Sequence, residues 1–194
     1  MAEQRNEPVR ADARENRARI IEVARDAFTA SSDASLNSIA KKAGVGPGTL
    51  YRHFPTREAL MLAVYHHEVE RLAEYAPELL AGHPPLEALR LWCDRLAYYG
   101  RIKHGMSDML HALTDERLAG EVYDLVIGAL TLLLRACERD GVIRGGVDPD
   151  DVLLMLGFLW RVSPGEEGEA RAARLLDLVV DGLRAGAQAA SSGS

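Results

Sequence analysis

The sequence predicts an all-α protein, with three helices in a small N-terminal domain and a larger C-terminal helical domain, about nine helices in all. Apolar residues recur every three to four positions along most of the chain, which is typical of amphipathic helices. The two-residue alternation of strands persists nowhere, and no internal repeat is present. Glycine and proline interrupt the apolar pattern and set the predicted helix ends.

The composition is that of a globular protein. Apolar residues make up 47% of the 194 residues and charged residues 27%, which excludes a mainly disordered chain. The longest apolar run, residues 152–160, is too short for a membrane helix of about 20 residues. No secretory signal is recognisable at the N-terminus, and the separation of Cys93 and Cys137 excludes a CxxC motif. We therefore expect a cytoplasmic protein with reduced thiols and no membrane contact.

The net charge of −6 is unevenly distributed. The first 60 residues carry +2 and the remainder carries −8. From Ala34 to Arg57 no acidic residue occurs, while four positions are basic: Lys41, Lys42, Arg52 and Arg57. Such a local basic stretch can meet phosphates, although a chance gap in the acidic residues is an equally simple explanation.

The N-terminal domain is predicted over residues 14–58, after a mobile arm at residues 1–13. Its first helix begins near Arg14 and its second, residues 36–43, is capped by Ser35 and ended by Gly44. A third short helix spans residues 47–54, with Pro47 at its first position, where a missing N–H costs nothing. Thr56 caps a fourth helix from Arg57 to about residue 75.

The C-terminal domain is predicted over residues 59–188 and is helical throughout. Its remaining helices follow breaks at Pro77 and at residues 82–85, and Asp148 provides a strong N-terminal signal late in the chain. These helices are placed near residues 86–96, 104–113, 115–140, 148–162 and 169–187. The low-complexity tail, residues 189–194, is predicted to be disordered.

Two short helices joined by a glycine turn, as predicted for residues 36–54, are typical of a helix-turn-helix, whose second helix enters the DNA major groove. Ala40 is small enough for the two helices to cross closely, and Val45 fills the corner between them. Leu50 and Phe54 are predicted to face inward, so residues 51–53 are expected to point outward.

At this point the sequence closely resembles the TetR family of bacterial transcriptional regulators. The resemblance covers about residues 14–65 and is carried by Ile39-Ala40, Ala43-Gly44-Val45, the segment GTLYRHF at 48–54 and the segment REAL at 57–60. It implies a homodimer in which the first three helices bind double-stranded operator DNA. The fourth helix then leads to a ligand-binding and dimerisation domain.

The resemblance also implies which residues contact DNA. Thr49, Tyr51 and His53 match contact positions of the recognition helix, and Arg52 could pair with guanine. The other implied positions are Asn37, Ser38 and Arg57, together with the helix start Gly46, Pro47 and Gly48, which offers no side-chain donors. Many relatives have serine at the position of Gly46. For Lys41 and Lys42, DNA contact and a solvated positive face are both open interpretations.

The C-terminal domain is expected to hold an effector and to form the dimer. Its last two helices are the predicted dimer interface, because residues 152–160 are more apolar than one helix needs for its own core; a central position of this helix within the domain is the alternative explanation. Large, adaptable or polar-tipped side chains are candidates to line an effector pocket, although most residues of this kind belong to an ordinary core. They are Trp92, Tyr98, Tyr99, Met106, Met109, His111, Tyr123 and Phe158.

No catalytic motif is recognisable, so neither an enzyme nor a cofactor is predicted. His66 and Glu70 lie one helical turn apart, but no third metal ligand is identifiable and a solvated helix face is the favoured interpretation. The sequence thus predicts a transcription regulator, most readily a repressor that binds a palindromic operator and is released by an unidentified small molecule. The alternatives are an activator and an adaptor controlled by a protein partner.

Overall fold

The computed structural model describes residues 7–31, 33–105, 116–162 and 165–187. The α-helices in these ranges are α1 (Glu7–Ala30), α2 (Leu36–Lys42), α3 (Pro47–His53), α4 (Arg57–Gly82), α5 (Pro85–Gly105), α6 (Glu116–Arg139), α7 (Pro149–Met155) and α8 (Glu166–Arg184), with a 3₁₀ helix at Leu156–Trp160. These four ranges contain no strand, so the predicted all-α class is confirmed. None of the described helices is long and apolar enough to cross a membrane.

The first helix begins earlier than the sequence predicts. The prediction placed residues 1–13 in a mobile arm, but α1 starts at Glu7, so residues 7–13 are helical. Pro8 lies in the first turn, where its missing N–H would have had no helical partner. Ala11 and Ala13 have high helix propensity. The apolar stripe begins only at Ile20, and for that reason periodicity alone missed the first turns.

The described residues divide into two compact units, with the division between His67 and Glu68 inside α4. This division falls later than the predicted domain boundary at residue 58. In the first unit, α1, α2, α3 and the first half of α4 share one apolar core. Its fully buried large side chains are Ile20, Ile39, Leu50 and Leu60. Burial of Ala40, Leu50 and Phe54 confirms the inward face that the sequence predicts.

In the second unit, α4 continues through Pro77, whereas the sequence predicted its end near residue 75. Proline inside a helix removes one backbone hydrogen bond and costs about 3 kcal/mol. Ala76 and Leu79 are almost completely buried on either side of it, in the core of this unit. Burial of the flanking turns offsets the cost, and α4 ends only at Gly82.

The core of the second unit includes the fully buried Trp92 on α5 together with leucines of α6 and α8. Asp148 caps α7 as predicted, accepting the Asp150 N–H at 2.9 Å. The single helix predicted for residues 148–162 instead becomes α7 and the 3₁₀ helix. Leu156 and Leu159 both face the core, and a spacing of three residues suits the 3₁₀ repeat.

Other predictions fall partly beyond the described residues. The helix predicted at 104–113 overlaps the end of α5 at residues 104 and 105, and its remainder lies outside the described ranges. The same holds for the predicted tail at 189–194. The helix predicted at 115–140 corresponds to α6, and the one predicted at 169–187 corresponds to α8, which begins three residues earlier.

Candidate functional site

The turn between α2 and α3 is fixed by local hydrogen bonds. Ser35 caps α2 by accepting the Ser38 N–H at 3.2 Å, and the Ser38 hydroxyl donates to the Ser35 carbonyl at 2.9 Å. At the other end Gly44 has φ +67°, and the Val45 N–H donates to the Ala40 carbonyl at 3.0 Å. A residue with a side chain would be strained at this positive φ. The predicted glycine stop is therefore confirmed.

The recognition helix α3 has a buried side and an exposed side. Leu50 is completely buried and Phe54 nearly so, whereas Tyr51 is 46% exposed. Arg52 is exposed as well, and Thr49 and His53 are half-buried. The helix start is also accessible, since Gly46, Pro47 and Gly48 are exposed. The side chains of α3 that are predicted to meet DNA thus lie on the accessible side of this short helix.

Arg52 folds back along this helix. Its Nε donates to the Gly48 carbonyl at 3.3 Å and its Nη2 donates to the Thr49 hydroxyl at 3.1 Å. These bonds hold the guanidinium over the first turn of α3, the part of a recognition helix that reaches base edges. The remaining guanidinium N–H groups are still able to donate to guanine O6 and N7.

The predicted contacts outside α3 fall into two groups. Asn37, Lys41 and Lys42 on α2 are exposed, and Ser38 is exposed but bonded to Ser35. Arg57 is half-buried: its Nη1 donates to the Ala34 carbonyl, and its guanidinium carbon lies 4.8 Å from the centre of the Phe28 ring. Arg57 therefore connects the start of α4 to α1 and to the loop before α2. Its predicted phosphate contact stays a prediction.

Glu58, in the first turn of α4, is the first acidic residue after α3. The pKa of Glu58 lies below its ordinary value because its own backbone N–H and the Thr56 hydroxyl hydrogen-bond to the carboxylate. Thr56 in turn accepts the Ala59 N–H at 3.1 Å and caps the helix. Glu58 is thus a helix-start carboxylate of the kind favoured by the helix dipole, and α2 and α3 themselves carry no acid.

Of the predicted effector residues, Trp92, Tyr99 and Phe158 belong to the core of the second unit or pack against it. Trp92 is completely buried in the core, where its indole N–H donates to the Leu72 carbonyl at 2.9 Å. Tyr99 is buried and accepts a hydrogen bond from Arg95 Nε at 3.3 Å, while Phe158 is half-buried against the core. Tyr123 is 45% exposed. Met106, Met109, His111 and the Tyr98 side chain lie outside the described part of the structure.

A cleft of about 250 Å³ is present in the second unit between α5, the 3₁₀ helix and α8. Its lining consists of Asp94, Ala97, Leu159, Glu169, Ala172, Ala173 and Leu176. Of the predicted effector residues that the structure describes, Trp92, Tyr99, Tyr123 and Phe158 are not part of this lining. Burial raises the pKa of the Asp94 carboxyl, and the nearby Arg90 lowers it by a smaller amount. Small alanines between larger neighbours were the sequence signal for a cleft here.

The prediction also missed a polar cluster around Glu68. Glu68 is 3% exposed. The pKa of Arg95 on α5 is raised chiefly by its hydrogen bond with Tyr99, and that of the Tyr99 hydroxyl chiefly by burial, with Glu68 adding a smaller rise to both. The Arg95 guanidinium carbon lies 5.9 Å from the centre of the Tyr75 ring and 5.7 Å from that of Tyr99. The sequence signal was the position of Glu68, four residues before the buried Leu72 on the same helix face.

Both units of the chain are similar to known protein families. Residues 20–64 match the family model for bacterial regulatory proteins of the tetR family. Residues 84–185, more than half of the chain, match the model for the C-terminal domain of SbtR-like transcriptional regulators. The first match covers the helix-turn-helix of the first unit, and the second begins and ends in the second unit.

Individual proteins agree with these models. A helix-turn-helix transcriptional regulator of Staphylococcus aureus strain MRSA252 is 42% identical over 99 residues, so the alignment covers 50% of this chain and about half, 53%, of that relative. The crystal structure of a TetR regulator from Streptomyces coelicolor is similar at 44% identity and a TM-score of 0.74, covering 87% of this chain and 98% of that one. A TetR protein from Mycobacterium vanbaalenii follows at 36% identity and 0.72, covering 91% and 99%. The chain therefore belongs to the TetR family of transcriptional regulators.

Proposed function

We propose that this protein binds double-stranded operator DNA as a homodimer, represses transcription from it, and is released by a small-molecule effector. The observation that carries the proposal is the exposed side of α3, where Tyr51 and Arg52 are accessible directly beside the fully buried Leu50. A major groove about 12 Å wide admits one such helix. The absence of acidic residues from 34 to 57 removes repulsion of the phosphates.

The side chains of this interface fall into two groups, those suited to contact phosphates and those suited to contact bases. Tyr51 and His53 have donors at the ends of aromatic side chains and are suited to phosphates at the groove edge. Thr49 and Arg52 are bonded to each other over the first helical turn and are suited to base edges. Since Gly46, Pro47 and Gly48 add only backbone, direct base reading is confined to few side chains.

Homodimerisation through α7 and α8 is the second part of the proposal. Leu154 on α7 is 80% exposed and Leu178 on α8 is 69% exposed, and Met155 beside Leu154 is nearly half exposed. A second copy would cover these side chains. A two-fold dimer presents two recognition helices, so we expect an inverted-repeat operator with half-sites about 34–36 Å apart.

Release by an effector is the third part. Ligand binding in the second unit would favour a conformation whose two recognition helices no longer match successive grooves, and the loss of DNA affinity equals the differential affinity of the ligand for the two conformations. Such a regulator acts in the cytoplasm. The reporter and displacement assays described below distinguish this mechanism from control by a protein partner and from activation.

The test begins with selection of binding sites from random duplexes by the full chain, followed by fluorescence anisotropy on the selected duplex. The combined substitutions Tyr51→Ala and His53→Ala remove four contacts per dimer at about 1 kcal/mol each, so the affinity should fall about a thousandfold. Tyr123→Ala is the matched control, because Tyr123 is 45% exposed and Tyr51 is 46% exposed. Undiminished binding by the double variant would contradict the assigned surface.

Repression and release need separate measurements. A reporter under the selected operator should be silent with the protein present and expressed without it; the opposite response identifies an activator. Thermal shift against a library of small molecules, followed by anisotropy, tests release. If only a protein partner displaces the regulator from its operator, the adaptor alternative is correct.

A further inference from the structure

The cleft between α5, the 3₁₀ helix and α8 has the size of a site for a small molecule. Its volume of about 250 Å³ lies just below the roughly 300–1,000 Å³ of clefts that hold drug-sized ligands. Beside it, the Arg90 guanidinium on α5 donates to the carboxylate of Asp177 on α8, the residue that follows the lining residue Leu176. This ion pair connects two walls of the cleft directly.

The lining combines negative charge with apolar surface. Asp94 on α5 and Glu169 on α8 contribute carboxylates, and the other five lining residues are alanines and leucines. Glu169 lies in the first turn of α8, where the helix dipole favours an ionised carboxylate. Burial raises the pKa of the Asp94 carboxyl more than Arg90 lowers it. A positive charge in the cleft would therefore stabilise the ionised form of Asp94.

A small organic amine suits this lining better than a metal ion does. A divalent cation such as Ca²⁺ takes about six to eight oxygen ligands, whereas the alanine and leucine side chains of the lining carry no donor atom. These side chains instead offer apolar surface to a short hydrocarbon chain. The ammonium group of the same molecule can form charge-assisted hydrogen bonds with the two carboxylates.

The helix α8 lies between the cleft and the proposed dimer interface. Leu176 lines the cleft and is 5% exposed, whereas Leu178 is 69% exposed. Two positions on an α-helix differ by about 200° in direction, so these leucines lie on nearly opposite sides of α8. Glu169 and Ala172 share the side of Leu176 because their spacing is three to four residues. A ligand in the cleft would thus contact the interface helix from the side away from the second subunit.

We propose that this cleft binds a small organic amine through Asp94 and Glu169, and that the bound amine releases the operator by shifting α8 in the dimer. The inference rests on the proposed function and names the chemical class of its effector. A shift of α8 changes the contacts of Leu178 with the second subunit, and with them the separation of the two recognition helices. The amine has this effect to the extent that it binds the shifted dimer more tightly.

Binding is tested first, without DNA, by isothermal titration calorimetry of the full-length protein. The ligands are primary alkylammonium ions from propyl- to octylammonium, and the matched alcohols and carboxylates carry the same hydrocarbon chains without the positive charge. The ammonium ion that binds most tightly should exceed its matched alcohol about tenfold or more in affinity, because hydrogen bonds to charged groups are the stronger ones. The matched carboxylate should not bind.

Variants with unchanged side-chain size test the two carboxylates. Asp94→Asn and Glu169→Gln should each weaken binding of the ammonium ion about five- to tenfold and leave binding of the alcohol unchanged. Asp181→Asn and Glu167→Gln make the same changes on α8 outside the lining, at positions that point away from the cleft by helical spacing, and should bind like the unmodified protein. Ala173→Leu fills the cleft from its exposed rim and should weaken binding of ammonium ion and alcohol alike. Thermal melting verifies that each variant is folded.

The effect on DNA is measured by anisotropy on the selected operator and on a single half-site, with KCl reduced to keep the ionic strength constant. A saturating concentration of the ammonium ion should lower affinity for the full operator about tenfold or more. Affinity for the half-site should stay unchanged, because each subunit keeps its own recognition helix. Asp94→Asn should require about five to ten times more amine for the same release.

The inference is supported if both carboxylate variants weaken amine binding and the amine releases only the full operator. It is wrong if no ammonium ion binds, if the alcohol binds equally well, or if both carboxylate variants bind like the unmodified protein. An amine that binds without affecting the full operator, or that weakens the half-site equally, also contradicts it. In each of these cases the unmodified protein still binds its operator and the proposed function stands. If the unmodified protein binds no duplex, the proposed function fails and the effector role with it, whereas the calorimetry still decides whether the cleft binds amines.

Discussion

The proposed dimer interface can be tested at a single exposed leucine. Leu178 on α8 is 69% exposed in the isolated chain. Full burial of a leucine side chain is worth roughly 1.5–3 kcal/mol, so covering the exposed part of Leu178 contributes about 1–2 kcal/mol per subunit. Both subunits contribute in a two-fold interface. Leu178→Gln should therefore weaken dimerisation by about 2–4 kcal/mol, or roughly 30- to 1,000-fold in the dissociation constant.

Glutamine suits this position because it keeps helix propensity close to that of leucine. It also leaves a polar group at the interface, so the calculated loss is a lower bound. The monomer itself should be unaffected, since exposed substitutions usually change stability by less than about 0.5 kcal/mol. Sedimentation velocity across a concentration series gives the dissociation constant, and anisotropy on a full operator and on a half-site gives the consequence for DNA binding.

A control with the same chemistry is available on α6. Leu132 is 40% exposed and lies on a helix outside the proposed interface, so Leu132→Gln should leave the dissociation constant unchanged. We expect Leu178→Gln to bind a half-site normally and a full operator weakly. A dimer equally stable in both variants would refute the assignment of α8 to the interface, and a dimer weakened only by Leu132→Gln would move the interface to α6.

Three further predictions concern single residues. Gly44→Ala should lower the free energy of unfolding, measured in urea, by about 1–2 kcal/mol, because φ at this position is +67°. No atom lies close enough to clash with the added methyl group at either Gly44 or Gly48, so Gly48→Ala, at a helical position without positive φ, should not destabilise the protein. Burial raises the pKa of Cys137 to about 11 and that of Cys93 further. Iodoacetamide should therefore modify neither thiol before the protein unfolds. The free energy of unfolding should fall as the pH rises from about 9 towards 11, because the thiols ionise in the unfolded chain but not in the folded one. Arg57→Lys should cost about 1–3 kcal/mol because lysine keeps the charge but not the bonds of the guanidinium fork; unchanged stability would contradict its structural role.

The short elements of the first unit could be predicted because their signals are local. Ser35, Gly44 and Pro47 each act within a few residues, through a cap, a positive φ and a first-turn position. The inward positions of Leu50 and Phe54 follow from helical spacing alone. This is why the exposed side of the recognition helix could be assigned before its coordinates were known, while each individual DNA contact stays a prediction.

Long-range packing accounts for what the sequence could not supply. Pro77 is a helix breaker by local rules, and only the burial of Ala76 and Leu79 explains why α4 continues past it. Aromatic residues pose the same difficulty, because a pocket wall and a core need the same side chains. Trp92 is a pocket candidate by residue type, and neither its complete burial nor its hydrogen bond to the carbonyl of Leu72, twenty residues earlier in the chain, follows from the sequence.

The composition of α3 has a consequence for how this regulator would discriminate operators. Its first turn offers Gly46, Pro47 and Gly48, which carry no side-chain donors, and the two polar side chains that follow, Thr49 and Arg52, are bonded to each other. A base contact by Arg52 therefore involves Thr49 as well, so the pair acts as one reading element. With so little direct readout, most of the affinity must come from phosphate contacts and from duplex shape. Binding on this proposal is strongly salt-dependent and only moderately selective, which makes the correct spacing of two half-sites the principal source of specificity.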